Sequence, residues 1–139
     1  MFDTTKYLTI PIKQGGRSWE GVDCWGLAVV LYKEELGIEL PSMDHVDWNS
    51  GAKVCNAMAE ESSRDWIEVE RNERRKFDVV SLRIRTTPWH VGILIDDKRF
   101  IHADANPGRG VVVERLDGMH WKSRIVGYFR HPDMVEKSV

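Results

Sequence analysis

Cys24 is the residue of this chain whose position best suits a nucleophile. It follows Asp23, a typical helix N-cap, and so lies at a predicted helix start. Unpaired backbone N–H groups and the helix dipole favour the thiolate over the thiol at that position. Gly21 and Gly26 flank it and would let a substrate approach closely. Cys55, the other cysteine, lacks these features, and we interpret it as a small buried apolar residue.

A nucleophilic thiol needs a general base, and the base needs a third group that fixes its tautomer. His90 and His102 lie in two strand-like stretches that a turn at 96–98 separates, which predicts a hairpin. A three-residue loop would make the two histidines diagonal neighbours on one face, with Gly92 opposite His102. A two-residue loop would send the two imidazoles to opposite faces.

The predicted catalytic residues are therefore Cys24 as nucleophile, His90 as base and His102 as the group that orients the base. Asp104 is a competing orienting group. The same Cys24, His90 and His102 could instead bind zinc, but no HExxH motif and no clustered Cys/His spacing supports a metal site. We predict no metal and no cofactor.

The elements that must position these residues divide the chain into a helical and a β-rich half. A mostly apolar stretch, 24–36, ends at Gly37 and predicts a central buried helix, and a weaker helix is predicted after Ser50. Strands are predicted at 66–69, 78–84, 89–95, 99–103, 111–116 and 125–130. Helices followed by strands indicate an α+β fold, with the buried helix packed on an antiparallel β-sheet meander.

Composition limits the remaining function classes. The 139 residues suit one domain, 1–139, and 42% hydrophobic with 30% charged residues is typical of a globular protein. A net charge of −2 provides no basic field for nucleic acid. No apolar run approaches the roughly 20 residues that span a bilayer, so we predict no membrane insertion. The N-terminus lacks an export signal pattern, and we expect synthesis in a cytoplasm.

Several segments together resemble the NlpC-type cell-wall endopeptidases, which are papain-like cysteine peptidases of bacterial peptidoglycan. The matching segments are 15–16 (GG), 21–27 (GVDCWGL), 77–80 (FDVV), 90–93 (HVGI) and 100–103 (FIHA). The resemblance covers most of the chain. It implies a papain-like fold, with Cys24 as nucleophile, His90 as base and His102 as the polar third residue.

Two further segments are most similar to the branch of this family found in tail-assembly proteins of long-tailed bacteriophages. They are 37–41 (GIELP) and 125–131 (IVGYFRH), and the Trp25 that follows the nucleophile agrees with them. This resemblance implies a tail component that is made in the bacterial cytoplasm, partners other phage tail proteins and acts at the host cell wall.

One position departs from the family pattern. Many members carry a tyrosine near the oxyanion where this chain has Ile12. Gln14 and the backbone N–H groups around Cys24 are the two candidates that replace the lost donor. By resemblance Asp23 would bind the free amine of a stem peptide, a role that competes with its duty as N-cap.

The residues predict a cysteine nucleophile with a histidine base, and the resemblance implies that they hydrolyse an amide in a peptidoglycan stem peptide. Trp25 and Trp89 adjoin the predicted site and are candidate substrate contacts. Two alternatives stay open. The first is a catalytically weak or inactive tail-assembly module, which the loss of the tyrosine favours. The second is a CHAP-like peptidoglycan amidase, which Asp104 or Asn106 in contact with His90 would favour.

Overall fold

The computed structural model describes residues 2–41, 66–84, 87–104, 106 and 108–134. These residues contain one α-helix, α1 (Cys24–Leu36), and short 3₁₀ helices at Thr5–Tyr7, Arg71–Glu73 and Pro132–Met134. The strands are β1 (Arg17–Ser18), β2 (Gly21–Val22), β3 (Ile67–Val69), β4 (Val79–Ile84), β5 (Thr87–Leu94), β6 (Arg99–Asp104), β7 (Gly110–Arg115) and β8 (Ile125–Arg130). No helix in this described part is long and apolar enough to cross a membrane.

Helix α1 has the predicted bounds because both of its ends are capped. Asp23 accepts a hydrogen bond from the Gly26 backbone N–H at 2.8 Å, which satisfies one of the first helical N–H groups. Gly37 adopts the left-handed conformation with φ of 66°, which ends the helix. Most of α1 is buried, as predicted. The weaker helix predicted after Ser50 lies outside the described residues.

The six predicted strands form one antiparallel sheet, and each lies within two residues of its predicted bounds. The strand order is β3-β8-β4-β5-β6-β7. Strands β4 to β7 form the predicted meander, but β8 crosses back and inserts between β3 and β4. This return pairing is long-range, and the alternation of apolar residues along β8 does not specify its neighbours.

The sheet separates two apolar layers. Because successive side chains in a strand point to opposite faces, one set meets α1 and the other meets Trp121. The layer against α1 contains Val79, Val91, Ile93, Ile101 and Ala103. The second layer contains Val80, Leu82, Leu94, Phe100, Trp121 and Tyr128.

The β5–β6 hairpin has the three-residue loop on which the predicted site depends. Leu94 pairs with Phe100, and the Ile95 N–H donates to the Arg99 carbonyl at 3.0 Å. This register, continued along the strands, sets Gly92 opposite His102. A Cβ atom at Gly92 would lie 2.7 Å from Phe100 Cδ2, so a side chain there would require the buried Phe100 ring to move.

Candidate active site

Cys24 is the first residue of α1 and is 6% exposed. The Val91 backbone N–H forms a hydrogen bond with its sulfur, which places the thiol against β5 at the residue that follows His90. Burial, followed by the charge of Asp23, raises the pKa of the Cys24 thiol to about 12. The expectation that the helix start favours the thiolate is therefore wrong for the protein without substrate, because burial outweighs the nearby N–H groups.

The two predicted histidines contact each other. His90 Nε2 lies 2.8 Å from His102 Nδ1, and the two rings meet edge to face at an interplanar angle of 83°. Both residues are buried. Burial, followed by the neighbouring His102, lowers the pKa of His90 to about 3, and burial also lowers the pKa of His102. Both imidazoles are therefore neutral at pH 7.

The histidine pair lies on the face of the sheet that points away from the body of α1. The His90 ring stacks on Trp121 with centroids 5.8 Å apart, and His102 contacts the same indole edge to face at 5.2 Å. The Val91 side chain, in contrast, packs in the α1 layer. The Cys24 sulfur meets this part of β5 at the backbone N–H of Val91, the residue that follows His90.

Glu114 on β7 joins this site, and sequence reasoning missed it. Its Oε2 lies 2.5 Å from His102 Nε2 and accepts the Trp121 indole N–H at 2.8 Å. Its other oxygen, Oε1, pairs with Arg109 at 3.1 Å. The available signal was alternation: in β7, Val112 is opposite His102, so Glu114 is diagonal to His102 on the same face.

Asp104 does not take the competing role that the sequence left open. Its carboxylate accepts hydrogen bonds from Arg109 Nε and from the Asn106 backbone N–H, both at 3.0 Å. Asn106 itself is exposed. Among the described residues, His102 is therefore the hydrogen-bond partner of His90. This arrangement disfavours the CHAP-like alternative.

One group of described residues has metal-ligand chemistry. Ligand atoms of His102, Asp104 and Glu114 lie within 4.8 Å of one another. The Arg109 guanidinium bonds both carboxylates, at 3.0 and 3.1 Å, so a cation already neutralises them. This trio also differs from the Cys24, His90 and His102 set of the zinc alternative. The contacts favour a hydrogen-bond network over a metal centre.

Asp23 connects the helix start to the preceding ribbon. Its Oδ1 accepts hydrogen bonds from Gly26 N–H and from Arg17 Nη1, at 2.8 and 2.7 Å, and its Oδ2 accepts the Gly15 N–H at 2.9 Å. Both oxygens are thus engaged. Recognition of a substrate amine by Asp23 stays a prediction, and it would have to compete with these contacts.

The other predicted substrate contacts differ in exposure. Gln14 is exposed, and Ile12 is half-buried against the core with a bridge to Val22. Trp25 is 3% exposed, and its indole N–H donates to the Pro41 carbonyl at 2.7 Å, so it packs in the core. The burial of Trp25 argues against a substrate contact. The side chain of Trp89 lies outside the described residues.

The remaining cysteine and histidines were assigned no catalytic role. Cys55 and His45 lie outside the described residues. His120 is exposed, whereas His131 is half-buried and contacts Trp66 edge to face at 5.0 Å.

Proteins of known fold resemble this chain. An NlpC/P60 family protein from Bacillus cereus superposes with a TM-score of 0.66 at 22% identity, over 90% of this chain and 36% of that one. The NlpC/p60 domain of the peptidoglycan hydrolase SagA superposes with a TM-score of 0.55 at 21% identity, over 89% of this chain and 88% of that one. At these identities the likeness concerns the fold, and it confirms the predicted α+β architecture.

Sequence relatives agree with the structural neighbours. The murein DD-endopeptidase MepS/murein LD-carboxypeptidase of Escherichia coli is 29% identical over 110 residues, which are 79% of this chain and 50% of that protein. The gamma-DL-glutamyl hydrolase of Bacillus subtilis is 29% identical over 135 residues, which are 95% of this chain and 29% of that protein. This chain thus spans about half the length of the murein endopeptidase. The sequence profile of the NlpC/P60 family matches residues 10–130, and the chain belongs to that family.

Proposed function

We propose that this protein is a cysteine endopeptidase that hydrolyses an amide bond in peptidoglycan stem peptides. One observation carries the proposal. Cys24, at the start of α1, accepts a hydrogen bond from the Val91 backbone N–H, and the residue before Val91 is His90, which forms a buried hydrogen-bonded pair with His102. Two of its relatives are a murein endopeptidase and a glutamyl hydrolase, and these activities support an amide bond as the target.

In the proposed reaction the thiol and the neutral imidazole act together. The Cys24 sulfur attacks the substrate carbonyl carbon as its proton passes to His90, and a carbon–sulfur bond forms. His90 then gives that proton to the leaving amine as the carbon–nitrogen bond breaks. Water attacks the resulting thioester, which releases the acid and restores the thiol. His102 holds the His90 ring throughout.

Stabilisation of the oxyanion is the step that the departure from the family pattern at Ile12 affects. Ile12 has no donor where many members have a tyrosine hydroxyl. We propose that backbone N–H groups at the start of α1 fill this role, with exposed Gln14 as a second donor. Loss of one such donor lowers the rate roughly 10²–10³-fold. We therefore expect this protein to hydrolyse its substrate more slowly than family members that carry the tyrosine.

The test is incubation of the purified protein with peptidoglycan stem peptides, followed by mass spectrometry of the products. The parent and a Cys55→Ala control are expected to cleave the peptides, and Cys24→Ala is expected to leave them intact while it keeps the parent's circular dichroism spectrum. Cleavage by Cys24→Ala at the parent's rate would exclude this mechanism. If neither parent nor control cleaves, the alternative of a tail-assembly module becomes the better explanation.

We further propose that the protein is made in the bacterial cytoplasm and becomes part of a phage tail. There it binds other tail proteins and acts at the host cell wall. Segments 37–41 and 125–131 support this by their resemblance to tail-assembly proteins. Mass spectrometry of purified phage particles, with antibody labelling in electron micrographs, is expected to find the chain at the tail. Its absence from the particles would remove the tail role and leave the hydrolase.

A further inference from the structure

Glu114 is the charged residue nearest the histidine pair that the proposed reaction does not yet use. Its Oε2 receives two contacts, from His102 Nε2 at 2.5 Å and from the Trp121 indole N–H at 2.8 Å. The indole can only donate, so Oε2 acts as an acceptor. His102 is fully buried, and among its described neighbours Glu114 receives its Nε2 hydrogen bond.

Glu114 is held as a carboxylate. Although burial raises its pKa, the hydrogen bonds from His102 and Trp121 lower the pKa of Glu114 overall. Arg109 pairs with the other oxygen at 3.1 Å and also binds Asp104 at 3.0 Å. An ionised carboxylate has no proton to give, so the hydrogen between Glu114 and His102 belongs to His102 Nε2.

The proton on His102 Nε2 determines which ring nitrogen of His90 carries its hydrogen. A neutral imidazole with its hydrogen on Nε2 has a bare Nδ1, so His102 Nδ1 must accept from His90 Nε2 across the 2.8 Å contact. His90 then also carries its hydrogen on Nε2. Its Nδ1 is left with a lone pair, which is the state a general base needs to receive the thiol proton.

We propose that Glu114 is a positioning residue that fixes both His90 and His102 as their Nε2–H tautomers and leaves His90 Nδ1 as the basic atom. The inference rests on the proposed function for its catalytic consequence, but the tautomers themselves do not depend on it. In the proposed reaction Glu114 does not touch the substrate, and it acts only through the two rings.

Arg109 has a defined part in this arrangement. The charged groups that face His102 are Glu114, Asp104 and Arg109. Two carboxylates alone would favour an imidazolium at His102, and an imidazolium has no nitrogen that can accept from His90. The Arg109 cation opposes that effect, because its charge lowers the pKa of His102. Burial is the main cause that lowers the pKa of His102 and keeps the ring neutral, Arg109 adds to this effect, and Glu114 orients the ring.

The experiment compares Glu114→Leu, which cannot accept a hydrogen bond, with Glu114→Gln, whose amide oxygen can. Glu68→Gln is the matched control, since Glu68 is exposed on β3 at the opposite edge of the sheet. Nitrogen-15 NMR of the histidine rings at neutral pH reports which nitrogen carries the hydrogen. Stem-peptide hydrolysis reports kcat and KM, and its pH profile reports the ionisation of the base.

The parent, Glu68→Gln and Glu114→Gln are expected to show both rings as Nε2–H. Glu114→Leu is expected to show mixed tautomers and a kcat lowered by about 10²-fold with little change in KM, at the low end of the 10²–10⁴-fold that a positioned base contributes. Partial rescue by Glu114→Gln distinguishes positioning from general destabilisation.

A hydrogen on Nδ1 of either ring in the parent overturns the inference. This measurement uses the parent protein alone, so it does not depend on whether any variant folds. Unchanged tautomers and unchanged kcat in a folded Glu114→Leu overturn it too. A third outcome is that the parent shows the expected tautomers, that Glu114→Leu loses them, and that the parent does not hydrolyse the peptides. This outcome supports the positioning role of Glu114 and counts only against the proposed function.

Discussion

At the scale of single residues, the Cys24 thiol and the His90 imidazole of the candidate site are both uncharged in the protein without substrate. The Cys24 thiol is buried with a pKa of about 12, and His90 is buried with a pKa of about 3. Neither group is charged at pH 7, so the resting protein avoids placing an ion pair away from water. In the proposed reaction, the thiolate forms when the proton moves to His90 during attack. The base thus matters for forming the nucleophile as well as for releasing the product.

Alkylation by iodoacetamide tests the protonation state of Cys24. In a Cys55→Ser background Cys24 is the only thiol, and we expect slow modification at pH 7 that keeps accelerating as the pH rises above 9. The reason is that the thiolate is the reacting species and its fraction grows with pH up to a pKa of about 12. The measurement is the rate constant against pH by mass spectrometry. A rate that levels off below pH 7 would show a resting thiolate and contradict this interpretation.

At the scale of elements, the start of α1 depends on the ribbon that precedes it. Asp23 joins Gly26 in the helix to Gly15 and Arg17 in the β1 region. The backbones are in close contact here, since a Cβ atom on Gly26 would lie 1.8 Å from the Gly16 carbonyl oxygen. These contacts fix where the first turn of the helix, and with it the Cys24 sulfur, meets β5.

Substitution of Asp23 tests this connection. We expect Asp23→Ala to lower the free energy of unfolding by about 2 kcal/mol or more, because a helix N-cap is worth about 1 kcal/mol and a largely buried ion pair with Arg17 is lost as well. Asp23→Asn keeps an oxygen for the Gly26 N–H and should lose about half as much. Urea unfolding measures both.

Equal losses in the two Asp23 variants would show that the cap contributes nothing. Stem-peptide hydrolysis by folded Asp23→Asn then tests the role that the family resemblance implies. A KM raised more than tenfold in this variant would support binding of a substrate amine, whereas an unchanged KM would assign Asp23 to the helix alone.

At the scale of the whole molecule, two neutral histidines are enclosed between the sheet and Trp121. Their burial makes the stability of the fold depend on pH. The pKa of His90 is about 3 in the folded protein, against about 6.5 in an unfolded chain, so the unfolded state binds a proton at a higher pH than the folded state does. The pKa of His102 shifts in the same direction.

The expected result is a loss of stability in acid. The contribution of His90 is fully present above about pH 6.5 and falls as the pH is lowered toward 3, by about 2 kcal/mol between pH 7 and 5. Urea unfolding of the parent, His90→Gln and the exposed-site control His120→Gln at both pH values measures this. The parent and the control should lose more stability than His90→Gln. The same pH dependence in all three proteins would mean that His90 is not buried as a neutral group.

Local patterns were sufficient to predict α1, the six strands of the large sheet and the contact of His90 with His102, whereas the catalytic roles of these residues stay predictions. The caps at Asp23 and Gly37 give α1 its bounds because they act within one turn of the chain. The turn at 96–98 sets the register of β5 and β6, since a loop of three residues leaves only one pairing, and so His90 meets His102. Both results depend on interactions between residues close in sequence.

What the sequence by itself determined about this protein is therefore the family, helix α1 and the six strands of the large sheet, all of which follow from neighbours along the chain or from motif order. The pairing of His90 with His102 followed from the sequence only on the condition of a three-residue loop, which the structure supplied. The tertiary structure alone decided the insertion of β8 beside β4, the contact of Glu114 with His102, and the burial that keeps the Cys24 thiol protonated. Each of these depends on which distant segments pack together and how much water they exclude. The free energy of such contacts is a property of the assembled layers, and no local pattern encodes it.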